Sequence, residues 1–73
     1  MTETNELNFR KIDPPERERT YIYPDAQEIS FKNVTDICIR PSGIHRLNLG
    51  SGKKAIVSCG WRAIILDTDE WAF

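Results

Sequence analysis

Polar and apolar positions alternate along most of this chain, and the alternation has a period of two. After "TYIY", rich in aromatic and β-branched residues, comes the turn signal "YPDAQ". "EISF" then places Ile29 and Phe31 on one face, and "VTDICI" sets Ile37 and Ile39 in phase. "RPSG" predicts a tight turn, with Pro41 presetting φ and Gly43 taking the left-handed position. "IHRLNL" is the next strand, "GSG" the connection after it, with Gly52 at φ > 0, and "KKAIVSC" the return. Gly60 marks a bulge or sharp bend before the last strand, "WRAIIL". Pro41 and the four glycines at 43, 50, 52 and 60 leave no room for a helix of ordinary length in this region.

Pairing the GSG hairpin with Leu49 opposite Lys53 puts Leu47 across from Ala55 and His45 across from Val57. One face then reads His45, Leu47, Leu49, Ala55, Val57 and Cys59, mostly apolar and suited to a core. The other reads Ile44, Arg46, Asn48, Lys54, Ile56 and Ser58, isoleucines among cations. In the last strand both faces are apolar, with Trp61, Ala63 and Ile65 on one and Ile64 and Leu66 on the other, as in strands covered on both sides. A single sheet of four or five strands cannot cover both its faces. It must curl, receive the N-terminal segment, or meet a second copy. The expected fold class is therefore all-β: a small, strongly bent antiparallel sheet or partly open barrel, SH3-like or OB-like, of four to six short strands.

Composition divides the chain near residue 19. "MTETNELNFRKIDPPERER" is charged and contains Pro14-Pro15, and residues 1–19 are expected to form a flexible acidic arm ahead of a β domain over 20–73. At the other end, Asp67 and Glu70 have capping-box spacing, which allows at most one helical turn, with Trp71 and Phe73 folding back as an apolar latch.

Seventy-three residues make one domain. A core this small recruits partner surface and has little space for a ligand pocket of roughly 300 Å³ or more, which counts against an enzyme. No apolar leader segment and no stretch of membrane-spanning length is present, so a soluble, cytoplasmic protein with reduced thiols is expected. Cys38 and Cys59, with the lone His45, lack zinc-site spacing and read as small buried hydrophobes; no metal or cofactor is expected. A Cys59–His45 nucleophile pair shares a face but lacks an orienting third group.

The net charge of −1 conceals an uneven distribution: residues 32–66 carry +5, while the segments before and after carry −3 each. Two binding functions fit a chain of this kind. The first is a non-enzymatic protein-interaction module, self-associating or bound to a protein partner through Ile44, Arg46, Lys54, Ile56 and Arg62, because exposed apolar groups beside arginine suit an interface. The alternative is a small nucleic-acid-binding barrel in which Arg46, Lys54 and Arg62 meet phosphates and Trp61 or Tyr23 stacks on bases. Against it stands the overall acidic balance.

Overall fold

A computed structural model describes residues 8–71. Within them the chain forms five strands: β1 (Arg10–Ile22), β2 (Glu28–Ile39), β3 (His45–Leu49), β4 (Lys54–Val57) and β5 (Ala63–Asp67). All pairings are antiparallel, and the strand order is β4-β3-β2-β1-β5. The sheet is all-β and bent, and it is not closed into a barrel, since β4 and β5 each have a single neighbour among the described residues.

The bend follows from the connection between the edges. A flat sheet of this order would be about 19 Å wide, at roughly 4.8 Å per strand interval. Residues 58–62 must carry the chain from one edge to the other, and at about 3.5 Å per residue they would need nearly their full reach. They are not extended. Gly60 turns the backbone at φ 112°, and Trp61 sends its ring inward to lie 5.2 Å from the Tyr21 ring and 4.6 Å from the His45 ring. Arg62 N donates to Ile22 O at 2.8 Å, tying the end of the connection to β1. The two edges are therefore drawn toward each other and the sheet curls. Its concave side holds the core of Ile12, Tyr21, Val34, Ile37, Leu47 and Val57, with Phe31, Leu49, Ala55, Trp61 and Ile64 packed against it.

The hairpin registers match the side-chain pattern. His45 lies opposite Val57, Arg46 opposite Ile56 and Leu47 opposite Ala55, while Leu49 N donates to Lys53 O. The turn at residues 40–44 is closed by Gly43 N to Arg40 O and Arg40 N to Ile44 O. Gly43 adopts φ 95° there, and a Cβ on it would sit 3.2 Å from the Cβ of Cys59.

Three expectations change. Residues 10–19, read as part of a mobile arm, are the first ten residues of β1; residues 1–7 lie outside the described residues. The Pro14-Pro15 pair offers no N–H to the ladder, and the pairing with β2 accordingly shifts register between Lys11 and Glu16. The charges of "ERER" enter the sheet because two of them neutralise each other inside it. Next, Asp67 ends β5 as a strand residue and residues 69–70 form a bend with no helical turn, while Trp71 is 85% exposed and does not latch onto the core. Asp67 and Asp69 instead hold Arg17, at 2.9 and 3.1 Å, so the end of β5 is fastened to β1 by charge. Phe73 lies outside the described residues. Finally, the outer side of β5 is uncovered: Ala63 is exposed and Ile65 is 57% exposed.

Gly43→Ala is expected to destabilise the protein by about 2 kcal/mol, since a left-handed conformation forced on an L-residue costs about 1–2 kcal/mol and the Cβ must also displace Cys59. Gly52→Ala, at φ 91° with nothing near its Cβ, should lose only about 1 kcal/mol from conformation alone. Urea denaturation of the two variants checks the order; equal losses would show that the Cys59 contact is immaterial.

Candidate functional site

The outward face of the β3–β4 hairpin carries three of the residues singled out in the sequence. Arg46 and Ile56 are cross-strand partners, and Cys38 continues the row on β2. Ile56 is 67% exposed, and Lys54 Nζ donates to Asn48 Oδ1 at 3.4 Å. Arg46 is half-buried, with its Nε buried and lacking a hydrogen-bond partner. Ile44 is half-buried in the segment before β3. Arg62 is exposed but belongs to the connection, beyond the Gly60 bend, where its backbone meets β1. The structure thus brings Arg46, Lys54 and Ile56 together and leaves Arg62 apart. The aromatic groups that could stack on bases face elsewhere: Trp61 packs on Tyr21 and His45, and Tyr23 Oη donates to the Ser58 carbonyl.

A second constellation lies inside the curl. Glu16 and Arg19 form a bidentate ion pair, Nε to Oε1 and Nη2 to Oε2, both 2.8 Å. Their side chains are 0% and 3% exposed. The guanidinium also sits 5.9 Å from the centre of the Tyr21 ring, and Nη1 makes a long 3.5 Å contact with Tyr21 Oη. Tyr21 Oη is 2.8 Å from His45 Nδ1, across the intervening strand β2. Tyr21 Oη and His45 Nδ1 share one hydrogen bond, and Arg19 Nη1 approaches the same phenolic oxygen. Glu16, Arg19, Tyr21 and His45 therefore form one buried polar chain.

Charge states within it follow from burial. Desolvation pulls the Arg19 pKa down, but the hydrogen bond to Glu16, together with the attraction of Tyr21 and Glu16, outweighs it and holds the pKa above its ordinary value. Desolvation raises the Tyr21 hydroxyl, against the opposing pull of Arg19. Desolvation, reinforced by repulsion from Arg19, lowers the His45 pKa, so the ring is neutral at neutral pH.

Glu16, Arg19 and His45 line a cavity of about 470 Å³, whose remaining walls are Ile64, Leu66, Thr68, Asp69, Glu70 and Trp71. This exceeds the space expected in so short a chain. The volume exists because the sheet is left open and residues 68–71 continue past β5 to form one wall.

The thiol-histidine pair does not assemble as a catalytic unit. His45 Nδ1 is committed to Tyr21, and Cys59 is exposed beside Gly43. Both cysteines are free; Cys38 is buried as expected, whereas Cys59 is not. Sequence reading missed Glu16 and Arg19 altogether. A signal was present: counting back from Tyr21 in steps of two puts Arg19 on the core-facing side of the strand.

No family model, curated protein or solved structure matches this chain. Among the described residues no helix is long and apolar enough to cross a membrane.

The state of His45 sets a pH dependence. Its folded pKa lies below the value of about 6.5 for the unfolded chain. As pH falls below about 6.5, the unfolded chain takes up a proton before the folded one does, and stability drops until the folded pKa is passed. Urea midpoints between pH 7 and pH 5.5 should show this loss, at most about 1.4 kcal/mol per pH unit for one proton. His45→Gln should flatten it, and superimposable profiles for the two proteins would contradict the assignment.

Proposed function

We propose that the protein is a non-enzymatic interaction module that pairs with a second copy of itself along the free edge of β5. The observation that carries this reading is the contrast between the two sheet edges. β4 is a four-residue strand entered through Lys53 and Lys54, the kind of charge that guards an edge against pairing. β5 begins Ala63-Ile64-Ile65-Leu66, with no charge, no proline and no glycine before Asp67. Its outward residues Ala63 and Ile65 are left exposed.

Charge complementarity points to a second copy as the occupant. Arg62 precedes β5 and Asp67, Asp69 and Glu70 end it. Antiparallel pairing of two identical strands about a two-fold axis sets the Arg62 of each copy near the acidic end of the other. It also stacks the two Ile65 side chains near the centre, an aliphatic contact that a domain of this size has reason to seek. A reducing compartment such as the cytoplasm suits the two free cysteines.

The hairpin patch of Arg46, Lys54 and Ile56 is the competing surface for a protein partner. Nucleic-acid binding ranks below both, because the cations of that patch have no aromatic platform beside them.

Sedimentation at two concentrations should show mass rising toward a dimer. Ile65→Lys should weaken self-association by about tenfold or more, as expected for burying a charge at a strand interface, while Ile56→Asp leaves it intact. A strict monomer, or a dimer dissolved by Ile56→Asp and untouched by Ile65→Lys, would overturn the β5 pairing.

A further inference from the structure

We propose that the cavity between β1, β3, β5 and residues 68–71 binds a small organic cation, a primary ammonium carried on an apolar body.

The volume of about 470 Å³ falls within the range of small-molecule sites, about 300–1,000 Å³. Ile64, Leu66 and Trp71 supply apolar walls, and Trp71, 85% exposed, presents an open aromatic ring. Such a ring attracts a cation over its face.

The charges of the lining select the sign of the ligand. Arg19 is neutralised by Glu16, which takes its Nε and Nη2 donors. Asp69 and Glu70 then leave the lining negative, and Arg17, which is outside the lining, offsets only Asp69. An anion entering the cavity would meet these carboxylates with the one lining cation already engaged. An ammonium group would meet Glu70 at the wall, with the Glu16–Arg19 pair, almost wholly buried, as a neutral floor beneath it. His45, with its Nδ1 held by Tyr21, adds an imidazole ring to the lining.

The test is a charge series on one body: phenethylamine, 2-phenylethanol and phenylacetate, titrated into the full chain and followed by amide chemical shifts and Trp71 fluorescence. Phenethylamine should produce saturable shifts at Ile64, Leu66 and residues 69–71, with a dissociation constant on the order of 1 mM, attainable for about nine heavy atoms. It should bind about tenfold more tightly than the neutral alcohol, and phenylacetate should leave those amides unmoved. Glu70→Gln, on an exposed bend, should keep the fold and weaken the amine by about threefold or more without affecting the alcohol. Equal binding of amine and alcohol, shifts confined to other surfaces, or no saturable response would each overturn the proposal. Repeating the series in Ile65→Lys separates this binding from β5 pairing, which would set the Arg62 of a second copy near Glu70.

Discussion

Two charges with almost no access to water hold the interior of this sheet together. Glu16 and Arg19 sit three residues apart on one strand, and both are turned inward. In a regular strand, residues at that spacing point to opposite faces. They share a side here in a strand whose ladder is interrupted just upstream, at Pro14-Pro15. Once inside, neither charge is tolerable without the other, since an isolated buried ion is strongly unfavourable. The two coplanar 2.8 Å bonds satisfy both groups and fix the guanidinium plane. Arg19 then sits against Tyr21, and Tyr21 reaches across β2 to His45. Each link depends on the one before it, so the polar chain and the curl of the sheet are one arrangement.

The curl resolves only part of the surface problem posed by so many apolar residues in one thin layer. It covers the concave side, where Ile12, Val34, Ile37, Leu47 and Val57 lie at or below 3% exposure. It leaves Ile56 and Ile65 on the convex side in water and does not join β4 to β5. An open edge and an open cavity are consequences of the same incomplete closure. Among the described residues the β5 edge has no second neighbour, and the cavity has a negative, partly aromatic lining. The two features face different occupants and use different residues of β5, outward Ala63 and Ile65 for the first and inward Ile64 and Leu66 for the second.

Much of the scaffold was legible in the sequence because turn chemistry and period-two alternation are local. The β3–β4 register could be read from GSG and the apolar row His45, Leu47, Ala55, Val57, and Gly43 and Gly52 take the positive φ that their turns required, while Gly60 turns the chain at φ 112°. What local pattern could not show was the fate of the charged N-terminal segment. "PPERER" resembles a solvated hinge in composition, and only the long-range pairing of β1 with both β2 and β5 turns it into sheet. Trp71 misled in the opposite direction: its size suggested burial, yet Asp67 and Asp69 upstream of it are fastened to Arg17 and the ring stays in solvent. The cavity was illegible for the same reason as the ion pair, being assembled from residues up to 55 positions apart, from Glu16 to Trp71.

A double-mutant cycle at Glu16 and Arg19 tests the buried pair most directly, read as unfolding free energy in urea. Glu16→Gln alone should cost about 3–5 kcal/mol, the range for stranding a buried charge, whereas the double variant Glu16→Gln/Arg19→Met should recover most of that loss. A Glu16→Gln protein within about 0.5 kcal/mol of the parent, the range of ordinary surface substitutions, would mean that water reaches the pair and that the interior is not organised around it.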